Sequence, residues 1–384
     1  MVSETDNFYF IKSIEEISKK EWNECAGLDH PFTRYEFINA LEKSGSAINS
    51  TGWQPFHYIE KNQDKNIIAI CPLYIKSHSF GEYIFDHAWA DAYARYGLEY
   101  YPKLQSAIPF TPVTGERIIV HNNIKKKNDI KNKVIQNIIK KAINLNLSSV
   151  HFNFLKEPNY LNENNKKILL RKGIQFHWKN NNYESFDDFL KNLSSRKRKL
   201  IKKERSCIKD HNLEVKLLNG NEITNKHWDF FYECYLFTTE KKWGSSYLTK
   251  NFFKEIGKHL ASKILLIVAF KDNQMIASAL NFISDSCLYG RLWGTIKYIP
   301  YLHFELCYYQ AIDYAIKNKI KNVEAGAQGS HKLQRGYLPK ETYSLHWIKD
   351  NNFKNAINNY LNEEMKLINK EKKDLEEFAP YKKN

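Results

Sequence analysis

Between Glu324 and Gly336 the chain reads Glu-Ala-Gly-Ala-Gln-Gly-Ser-His-Lys-Leu-Gln-Arg-Gly, setting a carboxylate, an imidazole, an ammonium and a guanidinium among three glycines. Glycines admit backbone conformations closed to other residues and let a ligand approach the main chain closely. Such a loop suits removal of a proton from a nucleophile beside a held anion. His331 titrates near neutral pH without tuning, whereas Glu324 needs burial to become a competent base. Gln328, Lys332 and Arg335 supply hydrogen bonds and positive charge for a substrate. A structural strand-to-helix turn with Glu324 as a cap explains the same residues without chemistry.

Three other groups carry chemical potential. Arg198, Lys202 and Arg205 recur at i, i+4 and i+7, so a helix brings them to one face, with Lys199 alongside. That stripe suits a diphosphate or a nucleic-acid backbone, or is a solvated helix face. Glu305, in His303-Phe304-Glu305, opens a helix and is either a third catalytic candidate, after Glu324 and His331, or a partner of the helix dipole. It suits the helix dipole but repels a phosphate. Asp91, Tyr93 and Arg95 fall within Trp89–Gly97 and form either a substrate-facing wall or an internal ion pair on one turn.

Other chemistries are disfavoured. Six scattered cysteines show neither CxxC nor Cys/His ligand spacing, so they read as structural thiols and no metal site is expected. Cys307 sits in apolar company within a helix and reads as inert core. No P-loop, dinucleotide fingerprint or HExxH is present.

The elements that must position these residues repeat. Phe8 to Ile11 reads as a strand, followed by helices around Ile14–Cys25 and Arg34–Lys43. Strand-like runs follow at Pro55–Ile59 and through IIAICPLYIKSHSFGEYIFDHAW, then a helix at Val134–Ile143 and a strand at Ser148–Phe154. The second half repeats this with Glu214–Leu218, helices at Glu222–Thr239 and Thr249–Leu260, strands from Ile264 through LYGRLWG, a buried helix at Phe304–Lys317, and a strand at Asn322–Ala325. The shared order is β, α, α, β, β, β, α, β, an α+β arrangement of helices on a mixed, mostly antiparallel sheet. The expected lobes are residues 1–182 and 183–384. The second carries a long basic entry helix, Phe186–His211, and a C-terminal helix, Asn352–Phe378.

Composition sets outer bounds. The 384 residues, 42% hydrophobic and 14% aromatic, suffice for two packed cores. The longest apolar run, Ile264–Phe270, is far short of the ~20 residues of a membrane helix. The acidic, polar start is unlike a signal peptide, so a cytoplasmic protein is expected. A formal net charge of +15 accompanies abundant Lys, Asn and Ile, a chain-wide bias that supplies charge without an anionic partner. The clusters at Lys125–Lys127, Arg196–Arg205 and Lys382–Lys383 say more than the total.

HPFTRYEFINALEKSGS, PLYIKSHSFGEYIFDHAWADAYARYG, PFTPVTG, SSRKRKLIKKER, KKWG, LYGRLWG, HFELCYYQAIDYAI and EAGAQGSHKLQRGYLP resemble the FemAB-like family over roughly His30 to Phe378. That resemblance implies a tandem duplicated GNAT fold and transfer of an acyl or aminoacyl group to an amine. The co-substrate would be acyl-CoA or aminoacyl-tRNA, with no tightly bound cofactor, and the acceptor a cell-wall precursor bearing phosphate or another anionic group. Ser195, Lys197, Leu200 and Ile201 are similar to the FemAB segment whose arginine contacts a diphosphate, which carries that role to Arg198. The usual GNAT pyrophosphate loop is absent; Tyr298–His303 stands in its place. Two other readings are a non-catalytic tRNA-, RNA- or anionic-ligand-binding protein on this scaffold, and peripheral contact with an anionic membrane through the basic helix.

Overall fold

The computed structural model describes residues 7–162, 165, 167–243, 246–327 and 329–382. Of the candidate residues, Gln328 lies outside them, as does Gly244 of the KKWG string. The chain forms two compact units, one running to Gly173 and including Glu341–Ile368, the other Ile174–Lys340 with the residues from Asn369. A single cut after residue 182 does not reproduce this division, because the chain returns to the first unit.

In the first unit the elements are β1 (Phe8–Ile11), α1 (Lys19–Ala26), α2 (Tyr35–Lys43), β2 (Trp53–Pro55), β3 (His57–Lys61), β4 (Ile67–Cys71), β5 (Tyr74–Lys76), α3 (His87–Arg95), β6 (Lys103–Ser106), β7 (Ile119–Val120), α4 (Lys127–Asn144) and β8 (Ser149–Leu155). β1-β3-β4-β7 make an antiparallel sheet. The expected order is followed by β1, α1, α2, β3, β4, β7, α4 and β8. The third strand is Ile119–Val120, however, and not the FGEYIFDHAW segment. That stretch turns into α3, whose Trp89 and Tyr93 are buried with Tyr100, Leu169, Ile348, Ile357 and Leu361.

β9 (Leu169–Lys179) leads into the second unit. There follow α5 (Phe186–Lys191), α6 (Ser195–Arg205), α7 (Cys207–Asp210), β10 (Leu213–Asn219), α8 (Asn225–Trp243), α9 (Lys250–His259), β11 (Ile264–Lys271), β12 (Gln274–Ile283) and β13 (Cys287–Thr295). A helix then runs as α10 (Leu302–Phe304), a π-helical stretch (Glu305–Tyr309) and α11 (Gln310–Lys317), before β14 (Asn322–Glu324). The expected order holds without insertion: β10, α8, α9, β11, β12, β13, the composite helix, β14. The strands β10-β11-β12-β13-β14-β9 are neighbours in that order, and only β13–β14 is parallel. The core packs Leu265, Ile267, Ala277 and Ala279 of the sheet against Leu306, Tyr309, Ile312 and Ile316 of the composite helix.

The single entry helix expected over Phe186–His211 is three helices. It breaks at Asn192–Ser194, where Leu193 makes a β-bridge with Tyr381 and the Ser194 N–H donates to the Pro380 carbonyl. After β15 (Leu338–Ile348), α12 (Asn351–Glu377) closes the chain. Its buried residues Ile357 and Leu361 sit in the cluster around Trp89 and Tyr93, so this part of the helix packs in the first unit and not in the second as expected.

Candidate functional site

In the second unit the sheet opens where β13 and β14 part. β13 and β14 pair in parallel only at Cys287–Asn322, Leu288–Val323 and Tyr289–Glu324; β13 then continues to Thr295 while the other strand ends. A one-residue register shift between Leu280 and Asn281, opposite Gly290, bends β13 at the same level. Parting parallel strands expose main-chain groups and side chains to a ligand, as at the carboxyl ends of strands in other α/β sheets.

Charged side chains gather there. Glu324 is buried and accepts a 3.1 Å hydrogen bond from Arg291 Nη2, and His177, its partner on β9, holds Nδ1 4.0 Å from it. Burial depresses the His177 pKa despite the neighbouring Glu324 carboxylate, which raises it. Lys332 is 2% exposed, and its Nζ donates to the Gly326 carbonyl at 2.9 Å. Burial, reinforced by Arg291, brings its pKa down to about 8. Lys332 thus remains an ammonium at neutral pH, close to the point of losing its proton.

The loop after β14 owes its path to Gly329, whose φ of +117° is strained for any side chain. A Cβ there would stand 2.5 Å from His331 Cε1, so the absent side chain also makes room for the imidazole. A short helical turn, Ser330–Arg335, follows. His331 Nε2 lies 2.8 Å from the Tyr308 hydroxyl, and its ring packs beside Phe304, Tyr308 and His303. Burial raises the Tyr308 pKa, so the phenol keeps its proton and orients the imidazole. Tyr308 comes from the π-helical stretch, and such local widening of a helix is frequent at functional sites.

Two expected roles are corrected. Arg335 does not present a guanidinium to a ligand. It makes a two-pronged pair with Glu204 (3.0 and 2.6 Å), donates to the His331 carbonyl at 2.7 Å and stacks 3.5 Å over Phe304. Tyr309 also donates to Glu204. Glu305 is 1% exposed, accepts two hydrogen bonds from Arg205 (3.2 and 3.0 Å) and one from Gln310 (2.7 Å). Burial raises its pKa, and Arg205 works against that rise. Both pairs tie α6 to the loop and the composite helix. Both carboxylates thereby have their charge answered by an arginine of the same unit.

The basic stripe therefore divides. Arg205 turns inward, Lys202 is exposed, and Arg198 is half-buried with Nη2 3.3 Å from Ser195 Oγ. Ile201 and Glu204 form the buried side of α6. Asp91, Tyr93 and Arg95 do not assemble into a wall. Tyr93 is core in the first unit, whereas Asp91 and Arg95 are exposed on α3. Among the described residues no helix is long and apolar enough to cross a membrane, and no three His, Cys, Asp or Glu stand close enough to hold a metal ion.

Sequence reading missed Arg291, His177, Glu204 and Tyr308. Arg291 had a visible signal, a charge in the middle of the apolar strand LYGRLWG. Glu204 was hidden among lysines and arginines whose exposed majority masked the one acid turned inward.

The family model for FemAB-like proteins, described as peptidoglycan biosynthesis/recognition, matches residues 13–383. No curated protein matches the sequence. Several solved structures share the fold. The C-terminal domain of a putative lysylphosphatidylglycerol synthetase from Agrobacterium fabrum is 7% identical, with a TM-score of 0.54 over 90% of this chain and 96% of that one. FemX is 11% identical, with a TM-score of 0.53 over 89% and 98% of the two chains. A conserved protein of unknown function from Bacteroides thetaiotaomicron is 8% identical, with a TM-score of 0.53 over 88% and 99%. The fold is a tandem duplicated GNAT fold, one copy of the eight-element order in each unit.

Proposed function

Because the chain belongs to the FemAB-like family, a group of transferase fold, we propose that it is an N-acyltransferase whose chemistry lies in the second unit. It would move an acyl or aminoacyl group from acyl-CoA or aminoacyl-tRNA to an amine on a cell-wall precursor bearing phosphate or another anionic group. The observation that carries this reading is the opening where β13 and β14 part, with Glu324, Arg291 and the buried Lys332 around it and His331 on the adjoining loop. Both donors and such precursors are met in the cytoplasm, the compartment this reading implies.

In the reaction the acceptor nitrogen attacks the donor carbonyl carbon, forming a C–N bond as its proton passes to His331, held by Tyr308. Lys332 faces the negative charge that develops on the carbonyl oxygen. A fixed cation in a poorly solvated site stabilises such charge strongly, because it needs no reorganisation. Collapse of the tetrahedral adduct breaks the C–S bond of a thioester or the C–O bond of an aminoacyl ester. The leaving thiolate or alkoxide takes the proton back from His331. Glu324, paired with Arg291, balances the local positive charge. Arg198 and Lys202 on α6 would hold phosphate groups of a substrate.

Thermal shift with acyl-CoAs, an aminoacyl-tRNA mimic and wall precursors, followed by turnover with each stabilising pair, tests the reading. Amide-bond formation that falls at least ~100-fold in both His331→Ala and Lys332→Met supports it. Full turnover in both variants overturns the site. Salt-sensitive tRNA binding with no turnover on any pair favours the binding-protein alternative.

A further inference from the structure

The turn that carries His331 has little backbone regularity of its own to hold it. Ser330–Arg335 is a single short helical turn, bounded by Gly329 at φ +117° and Gly336 at φ +93°. Glycine adopts many backbone conformations at little cost, so both ends of the turn are free to pivot. A proton acceptor must nevertheless keep its place closely, since a shift of about 1 Å can cost turnover heavily. Side chains packed around the turn have to supply that rigidity.

Glu204, buried on α6, stands at the centre of those side chains. Its Oε1 accepts from Arg335 Nη2 at 2.6 Å, and its Oε2 accepts from Arg335 Nε at 3.0 Å and from the Tyr309 hydroxyl. The remaining guanidinium nitrogen, Nη1, donates to the His331 carbonyl at 2.7 Å. The guanidinium also lies 3.5 Å over the ring of Phe304, whose centroid is 5.7 Å from that of His331. Tyr309 directly follows Tyr308, the residue whose hydroxyl is 2.8 Å from His331 Nε2. Glu204 thus reaches His331 by two routes. One runs through Arg335 to the main chain and the Phe304 ring, the other through Tyr309 to the partner of the imidazole.

A contribution to stability does not account for this arrangement. Taking an arginine and a carboxylate out of water costs about as much as their attraction returns, and apolar side chains of similar volume fill such a place as well or better. What a guanidinium adds is direction. Its planar fork fixes the angle between the carboxylate it grips and a further acceptor beyond. Here that further acceptor is the main chain of His331 itself. Because Glu204 belongs to α6, the imidazole takes its reference from a packed helix and not from its own turn.

We propose that Glu204 is a positioning residue: through Arg335 and Tyr309 it fixes the place of the His331 imidazole and the ring nitrogen that carries its proton. Its importance for turnover rests on the reading of His331 as the base, whereas its hold on the imidazole is measurable without any substrate.

The test is NMR of the full-length protein labelled on histidine nitrogen, with the His331 signals identified by their loss in His331→Gln. In wild type the ring nitrogens should report one tautomer, set by the contact with Tyr308. Glu204→Leu, Tyr309→Phe and Arg335→Met combined replace the buried cluster by apolar side chains, so the denaturant midpoint should stay near that of wild type. Arg335→Lys keeps the charge opposite Glu204 but not the fork. In both variants the His331 nitrogens should shift toward the tautomer mixture of an exposed imidazole. On a donor and acceptor that wild type turns over, kcat should fall at least ~10-fold with KM within about twofold. A merely structural role leaves the signals in place once stability is retained. Unmoved His331 signals in either folded variant overturn the proposal, and one folded variant suffices to decide. Moved signals support it; moved signals with unchanged kcat also support it, and overturn instead the reading of His331 as the base.

Discussion

Lys332 and Arg335 are one helical turn apart, both cationic and both buried, yet only one of them has its charge answered. Arg335 shares two hydrogen bonds with Glu204, whereas Lys332 donates to a neutral carbonyl. Removing one member of a buried pair leaves a stranded charge, so Glu204→Leu should destabilise by about 3–5 kcal/mol in urea or guanidinium unfolding. Lys332→Met should do the reverse. Unfolded lysine keeps its proton up to about pH 10.5, while folded Lys332 releases it at about 8. Within that window the unfolded state binds more protons, so stability rises with pH, and below it the native ammonium is a standing cost. The variant should gain about 1–2 kcal/mol at pH 7 after the lost Gly326 hydrogen bond is counted, while losing turnover. Wild-type activity should decline as pH climbs through about 8, the point at which Lys332 ceases to be an ammonium. A pH–rate profile with no alkaline limb removed by Lys332→Met would contradict its role.

At the scale of elements, the loop after β14 works because glycine shapes it. Gly329→Ala forces a side chain into φ +117° and against His331. It should lower kcat at least ~10-fold with little effect on global unfolding, since the strain falls on a surface turn beside the base and not on the core. A kcat unchanged from wild type would show that the position of His331 does not matter. Two buried histidines, His151 on β8 and His346 on β15, give the first unit its own pH signature. Burial brings the His151 pKa from the ordinary 6.5 to about 3, and drives that of His346 well below its ordinary value. Unfolding exposes imidazoles that take up protons below about 6.5. The unfolded state then binds more protons, so stability present above that pH is lost as pH falls toward 3. Denaturant midpoints from pH 7 to 4 should decline, and less steeply in His346→Gln.

Across the whole molecule, each unit has its own core, and α12 supplies part of the first. Leu361→Ala removes a side chain 2% exposed in the cluster with Trp89, Tyr93 and Ile357. It should cost about 2–4 kcal/mol and loosen amide protection first around α3 and the helix's own N-terminal turns. Unchanged protection there would place the helix elsewhere. The net charge of +15 is distributed over many exposed lysines, and the lysine-rich α6 turns both Glu204 and Arg205 inward. Net charge therefore describes the surface more than it describes the site.

Order along the chain determined much of this. Periodicity, glycine punctuation and the twofold recurrence of β, α, α, β, β, β, α, β are local properties, and they gave the α+β class, the duplication and the loop at Glu324–Gly336 in advance. Pairing across distance was not legible. Whether Arg335 meets a substrate or Glu204, 131 positions away, depends on how α6 packs, and a lysine-rich helix looks the same in either case. The same holds for α3, whose aromatic residues suit a strand as well as a helix until Tyr93 finds Phe353 at 4.1 Å. The split between β13 and β14 exists only once two strands lie side by side. Sequence carries what neighbours along the chain decide; burial and charge partners are decided by neighbours in space.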